Sequence, residues 1–160
     1  MIVVAGAGLP LGKAVTQTLN EHSFNYMVLS DSSQLAPELL AGLRYWHLVP
    51  GADLTHWVEK NAQEMEFIID CNPIDQQSAS IFLSLWQLGY KHQIPVVGIG
   101  KAKADVEPII SEHSAPFFWT ILLDKASSDP KNTAKAIYYL IRDRQNPGTK
   151  TVESVLRQYS

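Results

Sequence analysis

The chain has 160 residues, 46% of them apolar, and this length and composition are typical of one domain with a core of its own. The 13 Lys and Arg and the 16 Asp and Glu leave a net charge of −3, and no basic block is present to follow nucleic-acid phosphates. The single cysteine excludes an internal disulfide, and no apolar run reaches the roughly 18 residues of a membrane span. We therefore expect a cytoplasmic protein that binds no nucleic acid and does not span a membrane.

The first half of the chain alternates short apolar segments with segments of helical periodicity. The apolar segments predict strands at residues 2–5, 26–30, 44–49 and 67–69, the last ending at Asp70 and Cys71. The periodic segments predict helices at residues 11–22, 34–43 and 54–62. Pro10 suits the first position of the first helix, and Asp53 suits the N-cap of the third.

The second half continues the alternation. It predicts a helix at 75–91, a strand at 95–100, a loop at 101–115 with a helical turn at 106–111, a strand at 117–123, a helix at 130–144 and a short terminal helix at 152–159. Strands that alternate with helices favour a parallel sheet, because right-handed crossovers return each helix to the sheet. The predicted fold is an α/β, Rossmann-like, doubly wound and mostly parallel sheet of about six strands with helices on both faces. It comprises residues 1–148, and residues 149–160 form a tail or short helix.

A glycine-rich turn lies between the first strand and the first helix. It contains Gly6, Gly8 and Gly12, at the position where the free N–H groups of a helix N-terminus bind a pyrophosphate. The spacing G-x-G-x-x-x-G differs from the dinucleotide fingerprint G-x-G-x-x-G. The position of the turn therefore favours a nucleotide site, whereas the spacing of its glycines is only weak support for one.

The run from Gly6 to Gly12 resembles the G-x-x-G-x-x-G turn of the extended short-chain dehydrogenase/reductases, a family of nucleotide-sugar epimerases and reductases that includes ADP-heptose epimerase. Asp53 and Leu54 resemble the pair that flanks adenine in that family, residues 69–73 resemble the end of its fourth strand, and residues 117–148 resemble its later strand and helix. The resemblance implies a nucleotide site formed by the turn with Asp53 and Leu54.

Two residues of the turn depart from the family pattern. Leu9 replaces the middle glycine, so that its side chain would crowd a pyrophosphate, and Pro10 has no N–H to donate. Leu11 completes the predicted phosphate-facing segment. Asp31, at the end of the second strand, is placed to bind a ribose, and no Lys or Arg lies between residues 23 and 43 to bind a 2′-phosphate. We expect no cofactor, or NAD if one binds; a solvated turn residue is an equal interpretation of Asp31.

The catalytic Tyr-x-x-x-Lys pair of the resembled family is absent, since none of the six tyrosines is followed by lysine four positions later. We therefore predict no catalytic residues. The five histidines have no metal-site spacing, so no metal is expected. Cys71 is interpreted as a buried thiol, with a nucleophile as the alternative. Lys101 and Lys103, after the fifth strand, are the best remaining candidates to contact an anion.

The helix at residues 78–90 has apolar residues over roughly 220° of its circumference, wider than one sheet covers. The residues predicted to form an interface are Ile81, Phe82, Leu83, Leu85, Trp86 and Tyr90. The matching helix of the resembled family contributes to a dimer interface, which implies a homodimer or docking to another protein. Burial by neighbouring elements of the same chain is the alternative.

Three functions remain open at this point. The favoured one is a noncatalytic, degenerate dehydrogenase-like domain that serves as a protein-interaction or scaffold module, as a homo-oligomer or with a protein partner. The second is a sensor or enzyme that binds NAD or a nucleotide sugar. The third is a structural subunit of a larger bacterial assembly.

Overall fold

The strands form one parallel sheet in a doubly wound order. The computed structural model describes residues 1–30, 46–48, 53–74, 79–107 and 115–160. The strands are β1 (Ile2–Ala5), β2 (Tyr26–Ser30), β3 (Trp46–Leu48), β4 (Phe67–Ile74), β5 (Val96–Gly100), β6 (Phe118–Leu122) and β7 (Lys150–Thr151). Their order is β3-β2-β1-β4-β5-β6-β7, and every pairing is parallel. The predicted Rossmann-like sheet is confirmed, and the two-residue β7 extends its edge.

Three of the described helices, the first, fifth and sixth, begin at a first-turn proline or a capping side chain. They are α1 (Pro10–Glu21), α2 (Asp53–Asn61), α3 (Ala79–His92), α4 (Lys103–Val106), α5 (Pro130–Asp143) and α6 (Val152–Gln158). The Asp129 carboxylate accepts the Lys131 N–H at the start of α5, and the Thr151 hydroxyl accepts the Ser154 N–H at the start of α6. None of the helices in the described ranges is long and apolar enough to cross a bilayer.

Two apolar cores lie on opposite faces of the sheet. One joins alternate strand residues such as Ile2 and Val4 to α1, α5 and α6. The other joins Val3 and Ile68 to α2, α3 and α4. β1 is buried along its whole length, as a strand covered on both faces should be.

Two predicted boundaries are wrong. β4 continues to Ile74, past the predicted end at Asp70 and Cys71, because its register with β5 shifts between Ile69 and Pro73 and pairing resumes beyond the irregularity. α4 lies inside the segment predicted as a loop at 101–115, and it ends at Val106, whose side chain is buried beside Gly100; most of the helical turn predicted at 106–111 lies outside the described residues. The predicted helix at 34–43, both ends of the strand at 44–49 and the start of the helix at 75–91 lie outside the described residues.

The C-terminal residues are part of the same core. β7 pairs with β6, and the side chains of Val152 and Val155 on α6 are fully buried. The Asp124 carboxylate accepts the Glu153 N–H at 2.9 Å and so joins the start of α6 to the loop after β6. Residues 150–158 therefore complete the sheet and one of the two cores.

Candidate functional site

The glycine turn after β1 has the tight geometry that its sequence predicts. Gly6 has a φ of +77°, which favours glycine. A Cβ on Gly12 would lie 2.5 Å from the Ala7 Cα and would overlap the Gly6 carbonyl oxygen. These two glycines therefore allow the sharp turn and the close approach of α1 to β1, which are two of the roles that glycines have in dinucleotide-binding turns.

The phosphate-facing side of the turn offers few donors. The Leu9 N–H donates to the Gly6 carbonyl oxygen at 3.1 Å, and Pro10 is the first residue of α1. The Leu9 side chain makes no cap, and 38% of it is exposed at the rim. Of the N–H groups at residues 9–12, those of Leu11 and Gly12 remain, because the first turn of a helix has no internal acceptors for them.

Asp70 and Asn72 lie at the end of β4, beside the glycine turn. Asp70 Oδ1 accepts the Asn72 backbone N–H at 3.1 Å and the Asn72 Nδ2–H at 2.9 Å. The Asn72 amide lies over Gly6, since a Cβ at Gly6 would be 2.9 Å from its Nδ2. Together they cover the turn at the point where β1 and β4 send their helices to opposite faces, which is where sheets of this type bind ligands.

The Asp70 side chain is inaccessible to solvent, and Oδ2 accepts no hydrogen bond from the described residues. Burial raises the pKa of Asp70 to about 7, against the lowering effect of the two Asn72 hydrogen bonds. This pair was not predicted from the sequence. The only available signal was a charged residue at the end of an otherwise apolar strand.

Cys71 is confirmed as a buried thiol: burial raises its pKa well above the ordinary value, with a smaller contribution from Asp70. Its side chain faces a pocket of about 240 Å³ between the glycine turn, β6 and the start of α5. The other residues that line this pocket are Leu9, Pro10, Leu11, Leu123, Ser127, Pro130 and Thr133. The surface next to the turn is thus mainly apolar.

The other predicted nucleotide contacts are only partly described. Asp31 lies outside the described residues, as do the side chains of Asp53 and Leu54, although α2 begins at Asp53. Lys101 is exposed just after β5, and Lys103 forms an exposed ion pair with Glu107 at 3.7 Å. Roles for Asp31, Asp53, Leu54 and Lys101 in binding stay predictions.

The space beside β5 is filled by apolar side chains. A Cβ on Gly98 would overlap the Trp86 ring, and a Cβ on Gly100 would lie 2.6 Å from Val106 Cγ1. Trp86 also packs against Phe118, with ring centroids 4.7 Å apart. Packing therefore occupies the space beside β5, and α4 is only one turn long. Within the described residues, no cluster of metal-ligating side chains is present.

The predicted interface on α3 needs a correction. Leu85 and Trp86 belong to the core of the chain itself, with 7% and 1% of their surfaces exposed, so they are not available to a partner. Tyr90 is 43% exposed and packs edge-on against Phe117. The side chains of Ile81, Phe82 and Leu83 lie outside the described residues, and their place in an interface stays a prediction.

A second cavity, not predicted from the sequence, is a groove of about 480 Å³ between α1 and α5. Its lining is polar and aromatic and consists of Ala14, Gln17, Thr18, Glu21, His22, Lys131, Lys135, Tyr138 and Tyr139. We call it the α1–α5 groove. The i,i+4 spacing of Lys131 and Lys135 was a visible signal of one basic helix face.

Solved structures show which class of protein has this fold: short-chain dehydrogenase/reductase-type enzymes, including nucleotide-sugar epimerases. A nucleoside-diphosphate-sugar epimerase from Staphylococcus aureus matches 94% of this chain and 69% of its own, with a TM-score of 0.65 and 10% identity. The enzyme WbmH from Bordetella bronchiseptica, solved in complex with NAD⁺, matches 94% and 73%, with a TM-score of 0.63 and 11% identity. A carbonyl reductase from Pseudomonas aeruginosa matches 95% and 96%, with a TM-score of 0.59 and 13% identity.

The resemblance in the sequence to this fold is thus confirmed. No protein-family model matches the chain, and no curated protein matches its sequence. At 10–13% identity, the likeness to these structures establishes the fold, without their substrates.

Proposed function

We propose that this chain is a noncatalytic domain of dehydrogenase/reductase fold that acts in the cytoplasm by associating with a protein, either a second copy of itself or a different partner. The observation that carries the proposal is the closed glycine turn, in which the Leu9 N–H is bound to Gly6 and Pro10 has no N–H. The absence of a Tyr-x-x-x-Lys pair from the sequence supports it.

The energetic effect of the closed turn is large. A hydrogen bond to a charged acceptor contributes about 1.5–3 kcal/mol, so two missing donors weaken pyrophosphate binding by about 3–6 kcal/mol. Because each 1.4 kcal/mol is tenfold, this is a loss of at least about a hundredfold in affinity. The exposed Leu9 side chain adds a steric cost at the same rim.

NAD binding is the second candidate, and one observation favours it. Gly6 and Gly12 still give the turn the positive φ and close helix approach on which dinucleotide binding depends. WbmH, which has this fold, was solved with NAD⁺. In this alternative the Leu11 and Gly12 N–H groups hold the pyrophosphate, and Asp31 binds the ribose.

Thermal unfolding with NAD, NADP, ATP and a UDP-sugar separates the two candidates. We expect none of these to stabilise the wild-type chain, whereas a ligand at one hundred times its Kd adds about 2.7 kcal/mol. The double variant Leu9→Gly/Pro10→Ala restores a donor and removes the obstruction, so it should bind NAD more tightly than the wild type. Pro116→Ala, an exposed proline away from the turn, is the control. Stabilisation of the wild type by NAD, or turnover with it, would refute the noncatalytic proposal.

Association between copies can be measured as molar mass by light scattering over a range of concentrations. The predicted interface on α3 is tested with the variants Leu83→Glu and Tyr90→Glu. Trp86 is left unchanged, because its side chain is part of the core and its substitution would destabilise the fold. A dimer that dissociates in both variants supports α3 as the interface. A dimer of unchanged mass in both variants excludes α3.

A further inference from the structure

We infer that the α1–α5 groove binds an acidic segment of a partner protein, with carboxylates of the partner against Lys131 and Lys135. This inference rests on the proposed function, because it identifies the surface and the chemistry through which the domain associates. The groove, at about 480 Å³, is twice the size of the pocket beside the glycine turn and lies on the outer side of the two helices.

The two lysines form an unneutralised pair. They lie four residues apart on α5, hence on one face with their Cβ atoms about 6 Å apart. Both are exposed, and neither forms an ion pair with a carboxylate in the described part of the chain. Like charges at this spacing repel, and a carboxylate from a partner would relieve that repulsion.

The dipoles of α1 and α5 add positive charge at the end of the groove where the two lysines lie. α1 follows β1 and α5 follows β6, and since these strands are parallel the two helices are also parallel. Their N-terminal ends, which carry partial positive charge, thus lie at the lysine end of the groove. Neither helix has an acidic residue in its first turn, and Lys13 adds an exposed charge in the first turns of α1. This end is positive on a chain whose net charge is −3.

The negative groups near the groove limit where a partner's carboxylates can lie. The Asp129 carboxylate is held at the start of α5 by the Lys131 N–H, and Glu21 receives a hydrogen bond from Gln17 at the far end. Beyond Glu21, His22 stacks on Tyr138 with ring centroids 3.9 Å apart. The far end is therefore aromatic and weakly acidic, and the carboxylates are directed to the middle and N-terminal part of α5.

A direct test is fluorescence anisotropy of a labelled glutamate-rich peptide with the full chain, with a glutamine-for-glutamate peptide as the ligand control. We expect binding of the glutamate peptide alone, weakening as salt rises above about 0.1 M, where the Debye length is about 10 Å. The double variant Lys131→Glu/Lys135→Glu should weaken binding about tenfold or more. Glu21→Gln should strengthen binding modestly, since it removes a like charge.

Lys60→Glu is the matched control, because Lys60 is an exposed lysine on α2, which covers the other face of the sheet. The inference is wrong if the glutamate peptide does not bind, if the glutamine peptide binds equally well, or if Lys60→Glu causes the same loss. Stabilisation by inorganic phosphate or ATP that requires Lys131 and Lys135, without peptide binding, would instead identify a small-phosphate site. None of these outcomes changes the NAD titration or the assay for turnover, so the groove and the noncatalytic proposal can fail separately.

Discussion

The buried carboxyl of Asp70 should make the stability of this protein depend on pH, in a direction opposite to that of most acidic residues. The Asp70 pKa is raised from 3.8 to about 7 in the folded chain because burial disfavours the charged form. Between these two values the folded state retains a proton that the unfolded state has lost. The free energy of unfolding therefore falls with rising pH, by about 1.4 kcal/mol per unit.

The size of the effect follows from the same two values. A difference of about three pH units corresponds to about 4 kcal/mol, lost between about pH 4 and pH 7. Above pH 7 the folded carboxyl ionises as well, and the slope from this group disappears. A domain of this size has roughly 5–15 kcal/mol of stability, so the loss is a large fraction of the total.

Asp70→Asn removes the ionisation while keeping an oxygen that can accept both hydrogen bonds from Asn72. The amide nitrogen of the variant takes the place of Oδ2, which has no partner among the described residues. Its buried N–H groups therefore lack an acceptor there, which lowers the free energy of unfolding by about 1–3 kcal/mol at every pH. By the same figures the variant should be less stable than the wild type near pH 4 and about as stable near pH 5, and it should be the more stable of the two by pH 8, where the wild type has lost about 4 kcal/mol.

Urea denaturation, followed by tryptophan fluorescence at several pH values between 5 and 8, measures how the free energy of unfolding depends on pH in the wild type and in Asp70→Asn. Glu64→Gln, at an exposed carboxyl that precedes β4 whereas Asp70 lies inside it, is the control and should change the stability little at any of these pH values. If wild type and Asp70→Asn give parallel curves across this range, Asp70 does not titrate near neutral pH and the reasoning from its burial is wrong.

Three further predictions concern packing and capping, all measured as the free energy of unfolding. Gly12→Ala should lower the free energy of unfolding by more than 2 kcal/mol, because the new methyl group overlaps the backbone of the glycine turn. The control Gly148→Ala should lower it by only about 1 kcal/mol, because Gly148 has a φ of +61° but open space around it. Equal losses in the two variants would contradict this prediction. Trp86→Ala should cost about 3–5 kcal/mol because the ring is fully buried, and a loss below 1 kcal/mol would show that the ring is not core. Asp124→Ala should lower the free energy of unfolding by about 1–3 kcal/mol, because it removes a helix cap and the acceptor for the Glu153 N–H. Asp124→Asn should lower it less, because an amide oxygen can still accept one of these hydrogen bonds. The opposite ranking would show that the Asp124 side chain does not stabilise the fold as a cap.

The fold could be predicted because local signals agreed with one another. Pro10 and Pro130 are each the first residue of a helix, and β1 is the continuous apolar run expected of a strand buried on both faces. The alternation of such strands with helices then leaves few topologies, since crossovers between parallel strands are right-handed. β7 was missed because two residues carry no periodicity, and its pairing with β6 depends on the tertiary position of α6.

The site was only half predictable, for a physical reason. The closed turn could be anticipated, because a proline's missing N–H and a leucine's side chain are properties of single residues. The Asp70–Asn72 hydrogen bond is local, but the position of Asn72 over Gly6 and the α1–α5 groove both depend on elements that the sequence separates widely. The periodicity of α3 likewise gave the width of its apolar surface but not what covers it, and Trp86 proved to fill the space above Gly98.

The glycine turn explains how the fold is compatible with the proposed loss of nucleotide binding. In a dinucleotide-binding turn, glycines serve both the packing of the helix on the strand and the approach of the phosphate. Here Gly6 and Gly12 keep the first role, while Leu9 and Pro10 occupy the positions of the second. The packing requirement alone therefore suffices to retain a glycine-rich turn. For the same reason a glycine pattern with few free donors predicts the fold more securely than it predicts the ligand.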